Sequence, residues 1–64
     1  MNEVIEESLR RIEIDFKEID YYLDLAKKNK RQSQEYSLKQ IKESCLYIKL
    51  YCMAIQKAIE GKNE

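Results

Sequence analysis

The sequence predicts an all-α fold: an antiparallel two-helix hairpin, coiled-coil-like in its packing, completed to a four-helix bundle by dimerisation or by a helical partner. Three observations carry this. The chain has 64 residues with one glycine and no proline, so almost nothing in it breaks a helix. Two separate runs of apolar residues repeat with alternating spacings of three and four, the pattern of a helix packed along one seam. Between them lies a wholly polar stretch, residues 27–34, where the two runs fail to join.

Helix 1 is expected from about Glu3 to about Lys28. Its seam is Ile5, Leu9, Ile12, Phe16, Ile19, Leu23 and Ala26. Acidic residues open it and lysines close it, an order that suits the helix macrodipole. The turn is expected at about residues 29–33. Asn29 is the candidate for a left-handed C-terminal residue, and Ser33 for the cap of the next helix. Helix 2 is expected over about 34–60, with seam Leu38, Ile41, Cys45, Ile48, Cys52, Ile55 and Ile59 and with Gly61 as its C-cap. Folding the arms together pairs Ala26 with Leu38, Phe16 with Ile48, Ile12 with Cys52 and Ile5 with Ile59, and each pair of numbers adds to 64. A single bent helix is the competing arrangement, kept open by the absence of Gly and Pro from the turn. Strands are disfavoured because the chain lacks the Gly-containing turns that strand hairpins use. Residues 1–64 thus form one domain, too short to be secure without a partner, a metal or disulfides.

The zero net charge conceals two halves. Residues 1–24 carry eight acids and three bases, a net of −5; residues 25–64 carry nine bases and four acids, a net of +5. An acidic helix lying beside a basic one accounts for both halves. The first residues are acidic and lack an apolar core, unlike a signal peptide, and no window is apolar enough for a membrane span, so the expected location is cytoplasmic.

Enzymatic chemistry has little to work with. There is no histidine for acid–base or triad catalysis, and two cysteines without histidine make no common structural zinc site. No cofactor-binding motif is present, so neither a cofactor nor a small-molecule substrate is expected. The carboxylates Asp15, Glu18, Asp20 and Asp24 read as the solvated side of helix 1. Cys45 and Cys52 are seven apart, ~10.5 Å along a helix axis, too far for a mutual disulfide. They read as small core residues facing Ile19 and Ile12. An interchain bridge or a thiol ligand are the alternatives.

Helix 2 carries more apolar surface than one seam can use. Beside the seam run Leu46, Leu50 and Met53 on one side, and Tyr47, Tyr51, Ala54 and Ala58 on the other. Only Lys42, Lys49 and Gln56 form a polar stripe. A helix apolar nearly all round is normally covered, so Leu46, Tyr47, Leu50, Tyr51, Met53 and Ala54 are the expected partner-binding residues. The basic residues Lys27, Lys28, Lys30 and Arg31 are a candidate anion site, though complementing the helix dipole also accounts for them.

The expected function is a non-enzymatic protein–protein interaction module acting through the apolar faces of helix 2. It would be a small adaptor, chaperone, inhibitor or assembly regulator, and its partner either itself, as a homodimer, or a helical protein. In size and architecture the chain is similar to the hairpin co-chaperones of type III secretion needle subunits and to phage or plasmid regulators. In length and hairpin form it also resembles the Rop-type plasmid copy-number proteins, dimeric hairpins that bind paired RNA loops. That resemblance implies an alternative, RNA or DNA binding through the basic turn and helix 2. The outer face of helix 1, which would then have to be basic, is acidic here, so nucleic acid is the disfavoured partner.

Overall fold

The structure is a computed structural model that describes residues 2–28 and 31–61, the side chains of residues 31–33 excepted. It contains two α-helices, α1 (Glu3–Lys28) and α2 (Arg31–Gly61), packed against each other as an all-α hairpin. The Cα trace measures 52 × 15 × 10 Å, two helices side by side and one layer deep.

Local chemistry fixes the helix ends. The Val4 amide donates to Oδ1 of Asn2 at 2.7 Å, and the Glu6 amide donates to the Asn2 carbonyl at 3.0 Å. Asn2 is therefore the N-cap of α1, satisfying an amide that the first helical turn leaves without a partner. At the other end, Gln34 Nε2 reaches across from α2 and donates to the Ala26 carbonyl at 3.2 Å, filling one of the last carbonyls of α1. Three ion pairs line α1: Arg10–Glu7 and Arg11–Glu7 at 3.0 Å, and Lys28–Asp24 at 2.9 Å. All are exposed and add only a few tenths of a kcal/mol each, of order ~0.3–0.5.

Two expectations need correction. Helix α2 begins at Arg31, so Ser33 lies inside its first turn and does not cap it. Arg31 and Gln32 are good helix formers and nothing there blocks a helix. Gly61 remains helical, with no left-handed φ, and so continues α2 where a C-cap was expected. Asn29, the expected left-handed residue, lies outside the described residues.

The earlier start of α2 also moves the register. Equal steps from Lys28 and Arg31 set Ile12 level with Ile48 and Ile5 with Ile55, each within one residue. The sequence pairing had them opposite Cys52 and Ile59. The shift is four residues, about 6 Å. The ring contact between Tyr22 and Tyr36, with centroids 6.0 Å apart, agrees with the tighter register.

The larger correction concerns the seam itself. The buried residues are Ser8, Asp15, Ser37 and Ser44, and no hydrophobic side chain among the described residues is buried. Ile5, Ile12, Ile19 and Tyr22 on α1, and Ile41, Ile48, Tyr51, Ile55 and Ala58 on α2, are half-buried. The contact line therefore uses Ile5, Ile12, Ile19, Ala26, Ile41, Ile48 and Ile55 of the expected seams but replaces the others. Ser8, Asp15 and Tyr22 stand where Leu9, Phe16 and Leu23 were expected. Ser37, Ser44, Tyr51 and Ala58 stand where Leu38, Cys45, Cys52 and Ile59 were expected. Two helices in close approach have little room on the line between their axes. Ser8, Ser37 and Ser44 are small enough to be buried on it, while Tyr22 and Tyr51 continue it as half-buried rings. By residue count from the helix ends Tyr22 is level with Ser37 and Tyr51 with Ser8, which puts a small residue at the height of each ring.

Two members of this line bury a polar atom with no protein partner, Ser37 at its Oγ and Asp15 at its Oδ2, and the carboxylate is the costlier. Asp15 is only 8 % exposed, and its Oδ2 finds no protein partner. Burial raises its pKa above the ordinary carboxylate value, the nearby Glu18 raises it further, and Arg11 opposes both. Between the unfolded value near ~3.9 and the raised folded value, the folded chain keeps a proton that the unfolded chain releases. Asp15 therefore makes stability fall as pH rises through that window. Asp15→Ala should raise stability by about 1 kcal/mol at pH 7, and the gain should shrink in acid, as read by thermal unfolding at both pH values. A variant weaker than the parent at pH 7 would mean that the carboxylate is held by a partner group.

Candidate interaction surfaces

With the small residues turned inward, the large apolar ones are left outside. At about 100° per residue, Leu9, Phe16 and Leu23 lie one residue round from Ser8, Asp15 and Tyr22. On α2, Leu38, Cys45, Cys52 and Ile59 stand in the same relation to Ser37, Ser44, Tyr51 and Ala58. All seven are exposed. Phe16 is 54 % exposed and Leu38 59 %.

Because the helices are antiparallel, a step in the same sequence direction carries both stripes to the same side of the hairpin. They form one broad apolar face, edged toward the centre by the half-buried isoleucines. The centre of each apolar stripe stands about 50° from the line joining the two helices. This face draws on both arms, whereas the sequence reading looked for the open surface on helix 2 alone.

A second apolar surface lies on the outer side of α2. Leu46 and Met53 point almost directly away from α1, Leu50 lies beside them, and Tyr47 borders them. Their exposures are all between 53 % and 58 %. These four of the six expected partner-binding residues are therefore open. Tyr51 and Ala54 are half-buried, Tyr51 on the contact line between the helices. A change at Tyr51 would disturb the hairpin whether or not a partner binds, so Tyr51 does not report on a partner. Lys42, Lys49 and Gln56 run between the two apolar surfaces and keep them separate.

The remaining candidates fare differently. Cys45 and Cys52 are free and exposed in the hairpin, so they do not face Ile19 and Ile12 as core residues of one chain. Of the basic set, Lys27 and Lys28 are exposed, and Lys28 is paired with Asp24. Lys30 and the side chain of Arg31 lie outside the described residues. Among the described residues no group of three or more His, Cys, Asp or Glu could hold a metal ion, and no helix is long and apolar enough to cross a membrane. The Tyr22 phenol has a raised pKa, first through a hydrogen bond with Tyr36, then through burial and the nearby Tyr36, Glu18 and Tyr21.

The signal missed in the sequence was the serines. Ser8, Ser37 and Ser44 sit at heptad spacing beside the isoleucines, and small residues at that spacing mark where two helices can approach closely. Compared with protein families, with curated proteins and with solved structures, the chain finds no match.

Proposed function

We propose that this chain is a non-enzymatic protein–protein interaction module: a small helical adaptor, chaperone, inhibitor or assembly regulator. It works by laying apolar helix surfaces against other helices. One observation carries the reading. Among the described residues the hairpin buries no hydrophobic side chain, while thirteen large hydrophobic residues are exposed. Exposed apolar residues scattered singly are ordinary, but contiguous stripes along two helices are the mark of surfaces that another chain covers. A location in the cytoplasm suits such a module, since both thiols are free.

The outer α2 patch of Leu46, Tyr47, Leu50 and Met53 is the surface for the protein partner. Tyrosine and methionine suit that role, one for large area with a polar tip, the other for adaptable packing. Leu50, 58 % exposed, tests it. Leu50→Glu should leave helicity and solution mass unchanged, because the side chain is outside the hairpin contact. It should also abolish retention of whichever helical protein the parent chain retains from its host. Unchanged retention by Leu50→Glu would remove this patch as the partner surface.

A further inference from the structure

We infer that the broad apolar face shared by α1 and α2 is covered by a second copy of this chain. The two hairpins are related by a twofold axis parallel to the helices, with both turns at the same end. The inference rests on the reading above, that apolar faces here exist to be covered, and it names what covers this one.

Geometry supports a four-helix square. In such a square, each helix has a neighbour on two sides and points its core stripe along the diagonal, 45° from either neighbour. The stripes here stand about 50° from the direction of the intrachain neighbour. The same seven-residue repeat that fails to fit between two helices therefore fits at the centre of four.

Charge identifies the occupant. The positions just outside the apolar face are Glu13, Asp20 and Lys27 on α1 and Glu35, Lys42 and Lys49 on α2, all exposed. They lie on opposite outer flanks of one hairpin, about 130° from its contact line, and cannot meet within a chain. None takes part in the ion pairs found among the described residues. With the twofold axis along the helices, α1 of each copy lies beside α2 of the other, and heights from the turn are shared. Glu13 then comes beside Lys49 of the second copy, Asp20 beside its Lys42, and Lys27 beside its Glu35.

All three pairs are of opposite sign, and the sign reverses on both arms together at the turn end. Each α2 member is three residues further from the turn than its α1 counterpart, about 4.5 Å. Helical side chains lean toward their own N-terminus, which is away from the turn in α1 and toward it in α2. The lean closes that offset. With the turns at opposite ends, α1 would lie beside α1 and α2 beside α2. Glu13 would then face Asp20, and Lys42 would face Lys49, like charges that disfavour that arrangement.

Sedimentation equilibrium of the full chain and of three variants, over a range of concentrations and at low salt, tests this. The parent should be a dimer. Glu13→Lys and Lys49→Glu should each raise the dimer dissociation constant about tenfold, since each turns two attractive pairs into two repulsive ones. The double variant E13K/K49E should return to within about threefold of the parent, by restoring both pairs with their signs exchanged. All six residues are exposed in the hairpin, so any loss of helicity in these variants should follow dimer dissociation and be reversed in the double variant. Single variants that tighten the dimer would overturn the inference in favour of turns at opposite ends. A parent that is monomeric throughout would overturn the second copy as occupant. Neither result bears on the outer α2 patch, whose test is the Leu50→Glu comparison, so the two readings fail separately.

Discussion

Ser44→Leu should loosen or unfold the hairpin, with a loss of about 1–3 kcal/mol. The residue is only 4 % exposed and sits on the line between the helix axes, level with Asp15 by step count. A leucine there adds three carbons at a position already buried between the two helices. The helices must then separate or the side chain must leave its rotamer, and overpacking of this kind costs that amount. A 64-residue domain has of the order of 5 kcal/mol to lose, so the change falls on a small reserve. Ser44→Ala keeps the approach and should stay within about 0.5 kcal/mol of the parent. Ser37→Leu should resemble Ser44→Leu, since Ser37 is 0 % exposed. Thermal and denaturant unfolding of the three variants would show the ranking. A Ser44→Leu protein as stable as its parent would place the close approach elsewhere, along Cys45 and the expected seam.

That ranking marks where the sequence was legible. Heptad spacing revealed two helices and their antiparallel pairing, because a stripe of isoleucines at every seventh residue has only one helical reading. It did not reveal that the hairpin contact and an open face would share those residues. Ile12, Ile19, Ile41 and Ile48 serve both the hairpin contact and the open face, so periodicity alone assigns Phe16 and Cys45 to the nearer of the two. Deciding between them needs residue size: Asp15 and Ser44 fit between close helices, and Phe16 does not. The four-residue error in register has a different origin. It came from laying the two apolar seams opposite each other with α2 starting at about residue 34, whereas α2 begins at Arg31 and the helices meet along positions one residue before Leu9, Phe16, Leu38 and Cys45. For the partner surface, Leu46, Leu50 and Met53 were visible as surplus apolar residues on a helix already supplied with a seam. Tyr51 and Ala54 looked equivalent to them until the contact line was known.

Phe16→Glu should have the largest effect of any single exposed substitution in this chain. In the lone hairpin Phe16 is 54 % exposed, and replacing it with a charged residue should then cost under about 0.5 kcal/mol. If the face is covered, the same change forces a carboxylate against the central apolar stripe of an assembly, with no basic residue on that stripe to pair with it. Such a burial costs several kcal/mol, of order ~3–5, enough to dissociate a dimer held by one apolar face. Tyr21→Glu is the matched control. Tyr21 is 63 % exposed, lies on the outer side of α1, and loses only its edge-on contact with Tyr22, whose ring centroid is 5.0 Å away. That contact is worth about 0.5–1.5 kcal/mol. Circular dichroism and sedimentation should therefore show Tyr21→Glu folded with the parent's mass. On the proposed dimer, Phe16→Glu should be monomeric and largely unfolded, because a hairpin with no buried hydrophobic side chain among its described residues has little to hold it without a second layer. If Phe16→Glu behaves like Tyr21→Glu, folded and unchanged in mass, then Phe16 lies in water and the isoleucine-and-serine line alone sustains the fold.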